Sequence, residues 1–261
     1  MTNAAPIRVR GVATLVVWAL VAAACLPEPA TQQGRSISAL YEAVLILALV
    51  VMTVVWGLIT VAIVRYRRRG RGATDSLPPQ IGGHVGLEAL WTIVPLLMIF
   101  GIFGGTLFTL NEVERRESAS HVELHVEAFR WGWRMTYPTE GVEVSGFLDP
   151  GPQAVVPAGQ PLLINLTSVD VIHSFYVPQF LYKRDAVPGV THEFELTIEE
   201  EGTFIGQCAE FCGLFHARMP FSIRSVPQAE YEAWLAEQQA ASQSPAASPP
   251  AASPGQVSPS P

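Results

Sequence analysis

Apolar and polar positions along this chain fall into distinct textures. Residues 43–64 and residues 89–110 are two uncharged runs of 22 residues each. A helix rises about 1.5 Å per residue, so each run gives roughly 33 Å, enough to cross a bilayer core. The pattern predicts a two-helix transmembrane hairpin over 38–110, with helices at about 39–64 and 87–110 and a connecting loop at 65–86. Pro95 lies inside the second run and predicts a local kink. A shorter apolar stretch, residues 11–24, follows Arg8 and Arg10 and ends on Ala22, Ala23 and Ala24. It is too short for a comfortable span and reads as an export signal over 1–24.

The texture changes at His121. Residues 121–128 alternate polar and apolar side chains, as a half-buried strand does. Further strand-like runs are 161–167, 192–198, 203–207 and 219–226, punctuated by Gly and Pro at Pro150-Gly151-Pro152, Pro157 to Gly159 and Pro188-Gly189. Many short strands between turn signals predict a β-sandwich or barrel over 118–227. Residues 228–239 predict a short helix. Residues 240–261 are mostly Ala, Ser, Pro and Gln without charge, a composition that cannot bury a core and predicts disorder. No internal repeat is visible.

Charge settles the orientation. Arg65, Arg67, Arg68, Arg69 and Arg71 sit between the two apolar runs and place that loop in the cytoplasm. Both outer ends then face the other side of the membrane, as an export signal also demands. The chain thus reads as a multi-pass protein of a bacterial plasma membrane with an extracytoplasmic C-terminal domain. Residues 111–261 carry 19 acidic against 8 basic side chains. This balance argues against nucleic acid, which needs clustered cations, and suits a basic protein partner. A merely solvated acidic surface gives the same count.

The chemistry concentrates in one segment. Cys208, Cys212, His216 and Met219 fall within twelve residues, and His173 lies upstream. Thiolate, thioether and imidazole form a donor set suited to copper. A single blue-copper ion needs one Cys, two His and a weak axial ligand. A second Cys lets two thiolates bridge two copper ions, each ion taking one imidazole. Met219 and a backbone oxygen such as that of Glu210 then fill the weak positions. Gly213 and the flanking strands predict a loop around the metal. Such a site needs no open position, so it passes electrons and binds no substrate. Competing readings are a disulfide between Cys208 and Cys212 or a zinc site, although Met is a poor zinc ligand. Read alone, His173 is a structural histidine and Met219 is strand packing. His84, His121, His125 and His192 read as ordinary surface or strand residues.

These residues resemble subunit II of cytochrome c oxidase, the subunit carrying the binuclear copper A centre. The likeness runs over about 39–226. It rests on Gly206-Gln-Cys208-Ala-Glu210-Phe-Cys212 through His216 and Met219-Pro220, and on Asp170-Val-Ile-His173-Ser-Phe-Tyr-Val-Pro178. Lys183-Arg-Asp185-Ala-Val-Pro188-Gly189, matching a turn, and Glu88-Ala-Leu-Trp91-Thr-Ile-Val-Pro95 complete it. The resemblance implies a membrane-anchored all-β protein, with a cupredoxin-like Greek-key β-barrel standing on the hairpin. It implies copper ligation by His173, Cys208, Cys212, His216, Met219 and the Glu210 carbonyl. It also implies a magnesium or manganese ion, shared with subunit I, on the Glu210 side chain. Phe129-Arg-Trp131-Gly132-Trp133 resembles the stretch where electrons arrive from cytochrome c, with Trp131 at the key position. The family usually has Tyr where this chain has Gly132. The competing reading of Trp131 is barrel packing. Glu88 falls at the mouth of a proton pathway into subunit I, or is a plain interfacial acid. The implied partners are haem-bearing subunit I, subunit III, and cytochrome c or a similar donor.

The segment ending at Cys25 also resembles a bacterial lipoprotein signal, with Cys25 as the lipidated first residue, although Ala22 stands where Leu is usual. Three related architectures bear on the reading. A quinol oxidase subunit II lacks the copper ligands. A membrane-tethered copper-delivery protein has a thioredoxin-like βαβ pattern. Nitrous oxide reductase needs far more chain.

Overall fold

The computed structural model describes residues 27–67, 80–116 and 122–243. The export signal, Cys25, Arg68 to Arg71, His121 and the tail beyond Gln243 lie outside the described residues. Two long helices come first, α1 (Gln32–Tyr66) and α2 (Val85–Val113). Both are long and apolar enough to cross a membrane. Their flanks are largely bare apolar side chains, among them Trp56, Ile63, Phe103 and Phe108, an exposure that lipid or a partner helix would cover.

Both helices exceed the expected spans. Helix α1 starts at Gln32, not near residue 39, because Thr31 caps it: the Thr31 hydroxyl accepts from the Gly34 amide at 2.9 Å. Side-chain capping of this kind satisfies amides that a helix start leaves orphaned. Helix α2 starts at Val85 and runs through Pro95 to Val113. His84 caps it, with Nδ1 accepting from the Leu87 amide at 3.2 Å, while Glu88 Oε1 accepts from the His84 amide at 3.3 Å. The connecting loop is therefore shorter than expected at both ends.

Ten strands follow among the described residues. They are β1 (Val122–Phe129), β2 (Gly132–Tyr137), β3 (Val142–Phe147), β4 (Gln153–Pro157), β5 (Pro161–Ser168), β6 (His173–Val177), β7 (Tyr182–Ala186), β8 (His192–Thr197), β9 (Gly202–Cys208) and β10 (Pro220–Val226). They form two five-stranded sheets, β3-β2-β1-β5-β8 and β4-β10-β9-β6-β7. Strand pairs β1–β5 and β4–β10 are parallel, and the others antiparallel. This two-sheet sandwich fits a cupredoxin-like fold. The described residues contain no βαβ crossover of the kind a thioredoxin-like copper-delivery protein would carry.

The core lies between the sheets, where Trp133, Tyr137, Phe175, Phe180 and Phe221 are fully buried. Phe221 stacks on Phe175 at 4.8 Å and meets Trp133 edge-on at 4.9 Å. The Tyr137 hydroxyl donates to the Val155 carbonyl at 2.7 Å and accepts from the Val155 amide at 2.9 Å, joining one sheet to the other. Helix α3 (Gln228–Gln243) covers one end, with Trp234 packed edge-on against Tyr137. It runs four residues past the expected end, so residues 240–243 are helix and not tail. Ala and Gln are strong helix formers, which carries the last turn to Gln243. Residues 183–186, expected within a turn, belong to β7 (Tyr182–Ala186) on the sheet edge, and the turn is confined to the residues after Ala186.

Candidate metal centre

Strand pairing assembles the site. His173 opens β6 and Cys208 closes β9, and these strands pair with Phe175 opposite Cys208. The Ala209 amide continues the ladder by donating to the Ser174 carbonyl at 3.1 Å. The chain then leaves the sheet as a loop, makes a single 3-10 turn over His216–Arg218, and returns as β10 beside β9. Gly213 takes φ 119° in that loop, a conformation that disfavours a side chain.

Five donor side chains converge. Cys208 Sγ lies 3.9 Å from Cys212 Sγ, and both are free thiols, so no disulfide joins them. Each sulfur has an imidazole nitrogen beside it: His173 Nδ1 at 3.8 Å from Cys208, and His216 Nδ1 at 3.7 Å from Cys212. Each also has a weaker donor. The Glu210 carbonyl is 3.2 Å from Cys208 Sγ, and Met219 Sδ is 3.3 Å from Cys212 Sγ. Cys208, Cys212, His173 and Met219 are all buried. The potential ligand atoms of His173, Cys208 and Cys212 lie within 4.8 Å of one another.

The electrostatics keep the two sulfurs from both being thiolates in the absence of a cation. Burial disfavours thiolate at both sulfurs. At Cys208, hydrogen bonding to His173 and to the Glu210 and Ser174 backbone outweighs burial and brings the thiol down to about 7. At Cys212, burial and the neighbouring Cys208 charge push the thiol up to about 12. Two bare thiolates so close repel each other, and a metal ion removes that repulsion. The donors are soft sulfur and imidazole, with no carboxylate oxygen among them, which fits copper.

Two residues without an expected role support the donors. Asp170 Oδ1 accepts from His173 Nε2 at 2.9 Å and from the Val171 amide at 2.6 Å. Its Oδ2 accepts from the Arg130 amide at 2.8 Å and from Arg130 Nε at 3.3 Å. Burial alone would raise the Asp170 pKa, but the bonds from His173, Val171 and Arg130 together hold the carboxylate down, at about 2. An ionised carboxylate on Nε2 fixes the tautomer and leaves Nδ1 facing the sulfurs. Burial would lower the His173 pKa, but Cys208 and Asp170 outweigh it and hold the imidazole above its ordinary value. Trp133 is the second support: its indole N–H donates to the Met219 carbonyl at 2.9 Å. The acid three residues before His173, and the second Trp of the aromatic stretch, were the available sequence signals.

The other expected residues are placed as follows. Trp131 is half-buried against the loop, edge-on to Phe215 at 5.0 Å. A side chain on Gly213 would meet the Trp131 ring at 3.4 Å, so the indole lies against the residue next to Cys212. The Glu210 side chain points outward and pairs with Lys183 at 3.4 Å, and Lys183 also pairs with Asp185 at 3.4 Å. Glu88 stands far along the chain at the start of α2, where it caps the His84 amide.

Comparison with known proteins is consistent with this arrangement. The family model described as cytochrome c oxidase subunit II, periplasmic domain, matches residues 131–226, and that of the transmembrane domain matches residues 17–104. A probable cytochrome c oxidase subunit 2 of Streptomyces avermitilis is 31% identical over 250 residues, covering 81% of this chain and 78% of the relative. The chain belongs to the cytochrome c oxidase subunit II family. Another subunit II relative, from Alkalihalophilus pseudofirmus, is 31% identical over 205 residues, covering 75% of this chain and 58% of the relative. The crystallised periplasmic domain of subunit II from Bradyrhizobium japonicum is 31% identical, covering 47% of this chain and 96% of that one, at a TM-score of 0.45. The matched periplasmic domain of cytochrome c oxidase subunit II implies a copper A centre.

Proposed function

We propose that this chain is the electron-accepting subunit of a respiratory cytochrome c oxidase in a bacterial plasma membrane. It takes electrons from reduced cytochrome c, or a similar donor, and hands them to haem in subunit I, where oxygen is reduced and protons are pumped. The supporting observation is the meeting of two buried thiols and a buried thioether with two imidazole nitrogens and a carbonyl in a chain of this family. His173, Cys208, Cys212, His216, Met219 and the Glu210 carbonyl would hold two copper ions. Held there, such a pair would supply a one-electron carrier.

The protein's own residues prepare that chemistry. Asp170 orients His173, and Trp133 tethers Met219, so the donors need little rearrangement. Burial of the sulfurs and of His173 keeps water from most of the donors. Trp131 is the point of electron arrival: its ring contacts Phe215 and lies over Gly213, one residue from Cys212. The outward Glu210 carboxylate takes a magnesium or manganese ion at the border with subunit I, as hard oxygen suits such ions. Glu88, at the cytoplasmic start of α2, serves proton uptake into subunit I. Subunit III completes the assembly, and Cys25 carries a lipid after signal cleavage.

Metal analysis of the purified chain tests the reading. Two coppers per chain are expected, with an electron paramagnetic resonance signal from one unpaired electron shared by both nuclei. Zinc in their place, or the spectrum of a single copper, overturns it.

A further inference from the structure

One stretch of chain, residues 114–121, links α2 to β1. A single covalent link leaves domains free to move relative to one another by default. The start of α1 supplies a second attachment, made of contacts far apart in sequence. The Ala30 amide donates to the Gln179 carbonyl at 2.8 Å, and the Glu199 amide donates to the Ala30 carbonyl at 3.0 Å. Thr31 forms an antiparallel bridge to Ile198, and its hydroxyl donates to the Phe180 carbonyl at 3.3 Å. Gln33 Oε1 accepts from the Thr197 amide at 3.0 Å. Arg35 pairs with Glu199. Gly34 packs so closely that a β-carbon there would stand 2.7 Å from the Phe180 carbonyl oxygen. Ala30, Thr31, Gln33 and Gly34 are all buried, although they lie at the end of a membrane helix.

We propose that Thr31, Gln33 and Gly34 are positioning residues that lock the β-domain onto the first membrane helix and so fix the stand-off of the copper site from subunit I. This rests on the function proposed above. Residues 32–42 of α1 precede its uncharged run and include Gln32, Gln33, Arg35, Ser36, Ser38 and Glu42. These eleven residues give a strut of about 16 Å ahead of the uncharged run. The strut grips the 3-10 turn Pro178–Phe180, directly after β6, the strand that His173 opens. The start of the linker after α2 reaches the same sector: Glu114 pairs with Arg184 on β7 at 2.8 Å, and Arg116 pairs with Glu193 on β8 at 2.7 Å. The start of α1 is thus fastened to the turn after β6 and to the end of β8, and the linker after α2 to β7 and β8, so the site rides on a block held from both sides. Electron transfer between separate centres weakens steeply with distance, so a domain that swings on one linker would transfer poorly.

The test uses the assembled oxidase carrying Gln33→Ala or Gly34→Val. Gln33→Ala removes the acceptor of a buried amide without adding volume, so it serves even where Gly34→Val fails to assemble. Two readouts apply. Amide exchange at Thr197 and Glu199 in the full chain rises about tenfold or more, as expected for a local opening. Electron transfer from the copper site onward to the subunit I haem slows by about tenfold, the scale of a small misplacement, while copper spectrum and reduction by the donor stay at wild-type values. Wild-type onward transfer with only a lowered melting temperature overturns the proposal, as does unchanged exchange at both amides. Copper content of the unaltered chain judges the proposed function separately.

Discussion

Asp170 Oδ1 stands 2.9 Å from His173 Nε2, so a carboxylate at the protein surface holds a fully buried imidazole. The same carboxylate takes both the backbone amide and the guanidinium of Arg130, the neighbour of Trp131. The turn carrying Trp131, the proposed point of electron arrival, and the imidazole that faces the sulfurs therefore share one anchor. Asp170→Asn removes the charge while keeping the shape. Loss of such a support costs about 10- to 100-fold in metal affinity. Chelator competition should show copper released at lower chelator concentration, and the reduction potential should rise, because a less basic imidazole stabilises oxidised copper less. Unchanged affinity and potential would show that Asp170 only shapes the loop.

Trp131 can be separated from packing. Its indole nitrogen is buried without a hydrogen-bond partner, so Trp131→Phe leaves no broken bond behind. The expected result is slower reduction by the donor at unchanged copper content and spectrum. A packing role predicts the reverse: normal reduction kinetics and a stability loss of about 1–3 kcal/mol, as for a poorly filled core site.

What the sequence reveals follows from which faces are buried. Strands β1 and β5 alternate buried and half-exposed positions, so the period of two is plain in their residues. Strand β6 is buried at four of five positions and β4 at four of five, so no alternation marks them. The first turns of α1 carry Gln32, Gln33, Arg35 and Ser36 and lack an apolar stripe. They are helical because Thr31 caps them and the β-domain holds them, which are long-range contacts. At the site, Cys208 to Met219 declare themselves by density in sequence. His173 enters only because a copper site lacks a second imidazole without it. The role of Asp170 shows only in the structure, where His173 Nε2 meets its carboxylate.

Alkaline pH reports on α3. Burial and the neighbouring Glu140 charge push the Tyr231 phenol above its ordinary range, and burial does the same at Tyr137. A phenol whose folded pKa is raised stabilises fully below the unfolded value, about 10, and that stability is lost as pH climbs beyond it. Denaturant midpoints should therefore fall above about pH 10. The Tyr231 hydroxyl is buried without a partner, so Tyr231→Phe should cost nothing measurable at pH 7 and flatten part of the alkaline fall. A large loss at pH 7 would mean that the hydroxyl has a bonding role.

Met219 separates packing from ligation. Its sulfur lies 3.3 Å from Cys212 Sγ, the side chain is 1% exposed, and the Trp133 indole holds its backbone carbonyl. Met219→Leu conserves volume, and swaps of that kind cost under about 1.5 kcal/mol. The carbonyl tether is main-chain and survives the change. If the thioether is a ligand, the variant should fold normally and still bind copper through the thiols and imidazoles. Its reduction potential and optical bands should nevertheless move, since a weak axial donor tunes a copper site more than it holds the metal. If Met219 only fills space, spectrum and potential should match wild type. Measuring melting temperature, copper content and potential on one preparation decides between the two, because only ligation predicts a spectral change without a stability change.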